Sequence, residues 1–400
     1  MNGSAPQSDG SVVADFMTGC DRQLRPPLDV WAMDLRRKLQ SLGGEGWDPD
    51  RVRSASTCMN LAALVVAHSG DLGAAEQLCH AQLAWLAQLA AESGAASVLG
   101  NAVQPWVNLG RLRVLGGSVE KSLPQFRLAE CLRDQQHVHL GPCYIPAEMW
   151  KPLVEAEPDL PDVLWNVFVL DQLKACLRSG DPARALTAAA ALRDAAPART
   201  HRFIAEGEVI ALLRSGRAEG ALRKAARAEP TTTSDEVAFL LHRIAALTVL
   251  GRRDEARRLA VGLMAFVTQS DVLPAEPATF LRQTKQLALL LQRIGEPRYA
   301  WAVHLHGMRT CREQMDEPLY LEFLDCALQL APDHPSAGRW RSERDRHLAS
   351  SLYAEVRRRR GASDGLTHPS VRDLIVTVEM AARSAGPYSP GTDLWVLGHD

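Results

Sequence analysis

The stretch Trp106–Ala129, WVNLGRLRVLGGSVEKSLPQFRLA, decides the fold class. Gly117 marks a turn within it, because helices commonly end at a glycine in the left-handed conformation. The positions that define the pattern around this turn are Trp106, Leu109, Gly110, Phe126 and Ala129. The first two share one face of a predicted helix, the glycine beside them lets a second helix approach closely, and the last two return to that face. The stretch therefore predicts two helices packed as a hairpin.

The same turn signature recurs along the chain. A glycine is followed five residues later by a small residue in the pairs Gly70 and Ala75, Gly117 and Ser122, Gly180 and Ala185, Gly216 and Ala221, Gly251 and Ala256, and Gly295 and Ala300. The intervals between these glycines are 117 − 70 = 47, 180 − 117 = 63, 216 − 180 = 36, 251 − 216 = 35 and 295 − 251 = 44 residues. Each pair predicts a left-handed glycine, a tight turn and a small residue where two helices cross.

The W-x2-L-G and F-x2-A spacings around these turns resemble the tetratricopeptide repeat, whose unit has about 34 residues. The resemblance is clearest at residues 106–129 and 163–265. It implies an all-α fold, a right-handed α-solenoid of tetratricopeptide-like helical hairpins with a Pro-rich insertion and a C-terminal helical cap. It also implies a binding role, in which the concave groove holds a partner protein or a small-molecule ligand.

Composition divides the chain into three parts. Residues 1–25 mix Ser, Gly, Asp and Pro and predict a disordered lead. Residues 26–335 contain the helical array, with the insertion at 134–161. Residues 336–400 contain a long Arg-rich helix, an amphipathic capping helix and a tail.

Charge and cysteine usage exclude several classes of protein. With 45 basic and 47 acidic side chains, the formal charge of -2 argues against a surface built wholly for nucleic acid or anionic membrane. The eight cysteines contain no C-x2-C pair, and no apolar run approaches the ~18 residues of a spanning helix. We therefore predict a reduced, cytoplasmic protein without membrane insertion. The chain has no phosphate-binding glycine loop, H-E-x-x-H or G-x-S-x-G motif, so we predict no cofactor.

The insertion at 134–161 holds five prolines and excludes one long helix. We expect an ordered loop or a short helix near 146–154. Because long loops in compact proteins are often functional, we also expect residues 134–165 to fold over the groove that faces the units of Gly180 and Gly216.

Candidate site residues concentrate in this insertion. His137, His139 and Cys143 have the side chains of metal ligands, but a fourth ligand is not evident nearby, so no metal is predicted. A nucleophilic Cys143 with a histidine as base is the catalytic alternative, and a polar loop is the structural one. Tyr144, Trp150 and Trp165 would supply the aromatic contact area of a substrate pocket.

Two further features have both a structural and a functional interpretation. His304 occupies the place of a repeat aromatic, which favours a packed core histidine, and it diverges from His306 on the helix. The C-terminal helix offers basic side chains that either contact RNA phosphates or form a solvated helix end: Arg341, Arg344, Arg357, Arg358 and Arg360.

Three functions remain open from the sequence. The first is binding of a partner protein or ligand in the groove. The second is an enzyme of small-molecule metabolism, with its site under the 134–161 insertion. The third joins that site to the basic helix, as an acyl- or aminoacyl-transferase whose tRNA donor contacts the C-terminal arginines.

Overall fold

The computed structural model describes residues 28–42, 49–68, 70–93, 96–269, 277–314, 316–350 and 377–378. These residues confirm the all-α class: apart from one two-stranded sheet, their regular structure is helical. The predicted lead at 1–25 lies outside the described residues. So do Arg357, Arg358 and Arg360.

The described residues form two compact units, divided after Asp171. The unit of residues 27–171 also includes Thr377 and Val378, which are helical and buried. The elements in its part of the chain are α1 Leu28–Ser41, α2 Pro49–His68, α3 Leu72–Ser93, α4 Ala96–Gly100, α5 Val103–Leu115, α6 Val119–Phe126, α7 Leu128–Arg133, β1 Val138–Leu140, β2 Cys143–Ile145, α8 Trp150–Ala156 and α9 Leu160–Arg178. The last helix crosses the boundary between the units.

The unit of residues 172–347 continues the series of helical hairpins. Its helices after α9 are α10 Pro182–Ala195, α11 His201–Arg214, α12 Ala218–Ala226, α13 Thr233–Val249, α14 Arg253–Gln269, α15 Pro277–Ile294, α16 Pro297–Gln314, α17 Glu317–Leu330 and α18 Ala337–Ser350. The single array over 26–335 that the sequence predicted stays a prediction. The handedness of the solenoid stays a prediction.

The predicted glycine turns are present. The φ angles are 93° at Gly70, 81° at Gly117, 79° at Gly180, 72° at Gly216, 71° at Gly251 and 92° at Gly295. The small residue five positions after each of these glycines is buried, with at most 1% of its surface exposed. We call the helix before each turn the first helix of its hairpin and the helix after it the second. The hairpins are tetratricopeptide-like in this sense.

The hairpin of α5 and α6 shows why glycine is required inside a helix. A Cβ atom at Gly110 would lie 2.7 Å from Cε1 of Phe126 and 2.9 Å from Cβ of Gln125. Real Cβ atoms do not approach other carbons this closely, so only glycine allows the two helices to pack at this distance. Phe126 and Ala129 are buried, which confirms the predicted packing, while Trp106 is only partly buried.

The insertion is more ordered than the sequence indicated. Strands β1 and β2 pair antiparallel through a two-residue loop of Gly141 and Pro142, and a 3-10 turn at Ala147–Met149 leads into α8. Gly141, the first residue of the loop, has a φ of 62°. Pro142, the second, cannot adopt a positive φ, so the loop is a type II′ turn. The predicted short helix near 146–154 is confirmed. The hairpin was not predicted.

The insertion packs on different helices from those that we expected. We expected it to fold over the units of Gly180 and Gly216. Its hairpin instead packs on α3, where the thiol of Cys143 donates to the carbonyl of Leu83 at 3.0 Å, and α8 packs on α4. Both partner helices precede the insertion in the chain. Alternating side chains bury one face of the ribbon, which gives it a fixed inner face and a fixed outer face.

Candidate functional site

The outer face of the β1–β2 ribbon brings three of the predicted site residues together. His139 lies directly across from Tyr144, with ring centroids 4.8 Å apart. The ring of His137 is 6.5 Å from that of His139 and 6.0 Å from that of Tyr144. All three side chains are exposed. Cross-strand aromatic pairs of this kind stabilise a ribbon, and here they form an exposed ring cluster.

Cys143 lies on the opposite face of the same ribbon. It pairs across the ladder with Leu140, and both side chains are fully buried. Burial raises the pKa of the Cys143 thiol to about 12, so the thiol stays protonated near neutral pH. Because neighbouring residues in a strand point to opposite faces, neither histidine of the outer face can act as its base. The geometry therefore assigns Cys143 to packing, and it does not support the nucleophile proposed from the sequence.

The two tryptophans proposed for a substrate pocket have packing roles. Trp150 is fully buried, and its indole Nε1 donates to the carbonyl of Gln136 at 2.7 Å. Trp165 is also buried and packs against Phe168, with the two ring centroids 5.7 Å apart. The guanidinium of Arg133 covers the Trp165 ring at 5.8 Å. Of the three aromatic candidates, only Tyr144 offers an exposed ring.

Both described arginines of the proposed RNA-binding set have local partners, a carboxylate pair for Arg344 and a carbonyl for Arg341. Arg344 lies 2.8 Å from Asp345 and 3.8 Å from Asp325, and Arg341 donates to the carbonyl of Pro332 at 2.9 Å. An arginine that already pairs with a nearby carboxylate contributes less free energy to the binding of a phosphate. These contacts favour the solvated helix end over the RNA contact at the two described positions.

His304 has the packing role that the sequence predicted. It is 2% exposed, and its Nε2 bonds to the carbonyl of Phe323. Burial lowers the pKa of His304 to about 4, so the ring is neutral and Nε2 is the donor.

Sequence analysis missed a regular row of polar side chains on the first helices. We call this set the first-helix row: Asn60, Asn108, Asp171, Glu206, His242 and Lys285. Their distances from the following turn glycine are 70 − 60 = 10, 117 − 108 = 9, 180 − 171 = 9, 216 − 206 = 10, 251 − 242 = 9 and 295 − 285 = 10 residues. The signal was present in the sequence, as a polar residue nine or ten positions before each of these turn glycines.

In the unit of residues 27–171, the row connects successive first helices. The side-chain amide of Asn108 donates to Oδ1 of Asn60 at 3.4 Å and accepts from Gln104 at 3.1 Å. Asp171 accepts from Nε of Arg111 at 2.8 Å. The asparagines and Asp171 are buried, whereas the Arg111 side chain is 40% exposed and Gln104 is exposed. The row thus has buried members with accessible polar neighbours.

In the unit of residues 172–347, the row contains a fully buried acid–base pair. Nε2 of His242 on α13 lies 3.0 Å from Oε1 of Glu206 on α11, and both side chains are 0% exposed. The Nδ1 atom of His242 has no hydrogen-bond partner. Lys285 on α15 forms an ion pair with Glu322 on α17 and keeps 27% of its side chain exposed. Lys285 is the accessible member of the row in this unit.

These polar contacts join neighbouring first helices. Apolar residues at the same places would pack without the cost of burying polar atoms, so stability alone does not account for the pairs. Within the described ranges there is no group of three or more His, Cys, Asp or Glu side chains placed to hold a metal ion. No helix in the described part of the chain is long and apolar enough to cross a membrane.

No protein-family model and no curated protein sequence matches this chain. Among solved structures, the chain is similar to the crystal structure of a tetratricopeptide repeat protein from Parabacteroides merdae ATCC 43184. The two share 10% sequence identity with a TM-score of 0.34, over 72% of this chain and 97% of that chain. The fold assignment therefore rests on the helices and glycine turns of the chain itself.

Proposed function

We propose that this helical-repeat protein binds a partner protein through extended segments that lie along the first-helix row within each unit. The observation that supports the proposal is the recurrence of a polar side chain nine or ten residues before each of the six turn glycines. An extended polypeptide offers unpaired N–H and C=O groups along its length, and these need both donors and acceptors. The row and its accessible neighbours contain both, as amides, carboxylates and cations.

The accessible groups define where the partner would make contact. In the unit of residues 27–171 they are Arg111 and Gln104, and in the unit of residues 172–347 the group is Lys285. The buried members of the row join the first helices beneath these groups. The site is therefore ordered before binding and loses little conformational entropy when the partner binds. A cytoplasmic location fits this proposal, because all seven cysteines among the described residues are free.

The test compares partner capture by wild-type protein and two variants. Lys285→Met removes the accessible cation of the row but keeps the length of the side chain. Arg298→Met, at an exposed position of α16, is the matched control. Tagged full-length proteins are used to capture partners from native lysate, and their melting temperatures are measured beside the capture.

The proposal predicts a stoichiometric protein that binds the wild type and the Arg298 variant but is lost or weakened with Lys285→Met. Equal capture by all three folded proteins would place the binding surface away from this part of the row. Recovery of RNA in place of a protein would overturn the choice of partner class.

A further inference from the structure

Arg243 occupies a repeat position that carries an apolar residue, a neutral glutamine or an ion-paired glutamate in the other units. It lies 251 − 243 = 8 residues before its turn glycine. The same offset places Leu109 before Gly117 and Glu208 before Gly216. Leu109 is fully buried. A charged side chain at this position therefore needs a compensating partner.

Glu208, the charged residue at this position in the preceding unit, has such partners. Its carboxylate lies 2.5 Å from Nη2 of Arg193 on α10 and 2.5 Å from Nζ of Lys224 on α12. The position thus lies between a first helix and the two second helices that flank it in the chain. For Arg243 on α13, the flanking second helices are α12 and α14, and α13 packs on both.

Arg243 has no counterpart to these ion pairs. Its side chain is partly buried, and its Nε atom is buried without a hydrogen-bond acceptor. Other partly buried cations of this unit are compensated, as Arg202 is by Asp235 at 3.0 Å and Lys285 is by Glu322. Among the Lys and Arg residues that the structure describes, Arg243 is the partly buried one with no carboxylate or carbonyl partner.

We propose that Arg243 is the anchor of an oxyanion-binding site at the position that Glu208 marks in the preceding unit. The planar guanidinium presents two parallel N–H groups to an oxyanion, and a carboxylate or a phosphate fits this fork. Bound oxygen atoms would supply acceptors to the Nη atoms of Arg243, because its Nε atom is enclosed by the protein. The site is distinct from the contact between His242 and Glu206, because Arg243 is adjacent to His242 on α13 and the two side chains diverge by about 100°.

Calorimetric titration of the full-length chain tests this site with three probes: hexaglutamate peptide, hexaglutamine peptide and inorganic phosphate. Arg243→Met removes the charge, and Arg243→Lys keeps the charge but removes the fork. Arg217→Met, at an exposed position of the same unit, is the matched control. Arg243→Met also removes a partly buried charge without a partner, so we expect it to melt at or above the temperature of the wild type.

We expect binding of hexaglutamate or phosphate that weakens about 10–100-fold in Arg243→Met, as loss of a charge-assisted contact implies. Arg243→Lys should be intermediate, and Arg217→Met should bind as the wild type. The probe that responds identifies the source of the oxyanion, a protein side chain or a free phosphate. Equal affinity of wild type and Arg243→Met, or no binding of either anion up to about 10 mM, would overturn the site.

This outcome is independent of the proposed function. Partner capture is tested with the Lys285 variant, and anion binding is tested with the Arg243 variants. A chain that captures its partner but ignores both anions would retain the proposed function and lose the oxyanion site.

Discussion

Gly110 and Gly262 both lie inside helices but differ in what surrounds them. A Cβ at Gly110 would overlap the Phe126 ring, whereas a Cβ at Gly262 would meet nothing within 4 Å. We therefore expect Gly110→Ala to lower the free energy of unfolding by about 1–3 kcal/mol through overpacking. Gly262→Ala should raise it by about 0.5–1 kcal/mol, because alanine restricts the unfolded chain. Urea unfolding of both variants measures the difference, and equal effects would contradict the close helix contact.

The buried pair of Glu206 and His242 gives a residue-scale test of the row. His242→Leu removes the hydrogen bond between the His242 ring and the buried Glu206 carboxylate, and we expect a loss of about 1–3 kcal/mol in the free energy of unfolding. The double variant Glu206→Leu, His242→Leu should recover most of that loss, because two apolar side chains need no compensation. Chemical unfolding of the wild type, the two single variants and the double variant gives the coupling free energy between the two side chains. Strictly additive effects would show that the two side chains act separately.

His304 predicts a pH dependence of stability. Its pKa falls from 6.5 to about 4 on folding, so the unfolded chain binds more protons between these values. The stabilisation is complete above pH 6.5 and is lost as the pH falls toward 4, by about 3 kcal/mol in total. His304→Gln keeps a donor for the Phe323 carbonyl and does not titrate. Its unfolding free energy should fall less steeply than that of the wild type between pH 6.5 and 4, and parallel curves would contradict this assignment.

At the scale of the elements, the insertion behaves as part of the core. The inner face of the ribbon and α8 bury Leu140, Ile145, Trp150 and Leu153, each at 0% exposure. Trp150→Ala removes the largest of these and the hydrogen bond to Gln136, so we expect a loss of about 3–5 kcal/mol. Tyr144→Ala, on the outer face, should cost less than about 1 kcal/mol. Thermal melts compare the two, and a small effect at Trp150 would show that the insertion contributes little to the core.

The same elements show what local sequence could predict. Turn glycines depend on one residue's conformation, so their positive φ angles followed from the sequence. The β1–β2 ribbon has strands of three residues each, which is too short for a periodic signal. Its packing on α3 depends on contacts distant in sequence, such as Cys143 with Leu83. Polar residues and rings near one another in sequence suggested a site, but the pleat of the ribbon separates Cys143 from the histidines.

The first-helix row was missed for a different reason. A single polar residue in a helix is unremarkable in one repeat, and only comparison across the six turn glycines shows that one recurs nine or ten residues before each turn. The contacts that give it meaning join different first helices, as Glu206 joins His242 on the next one. Such contacts depend on how successive helices align, which the pattern within one helix does not report.

At the scale of the whole molecule, the boundary between the two units lies within one helix. The boundary after Asp171 falls inside α9, so one helix belongs to both units. In repeat proteins each unit is stabilised mainly by its neighbours, and a complete terminal hairpin is needed to cover the next one. A cut at the boundary would leave only seven residues of α9, from 172 to 178, before the turn at Gly180. A cut at the start of α9 would preserve the hairpin.

This predicts different behaviour for two fragments. The fragment of residues 160–350 contains all of α9 and should fold with a cooperative helical melt. The fragment of residues 172–350 lacks the buried side chains Leu164, Trp165, Phe168 and Val169, and a helix of two turns is marginal in water. We expect it to be less stable by about 3 kcal/mol or more, from the apolar surface that these residues no longer bury. Circular dichroism melts of both fragments measure the difference. Equal stability would mean that the N-terminal half of α9 serves only the unit of residues 27–171, and that the second unit begins at the turn of Gly180.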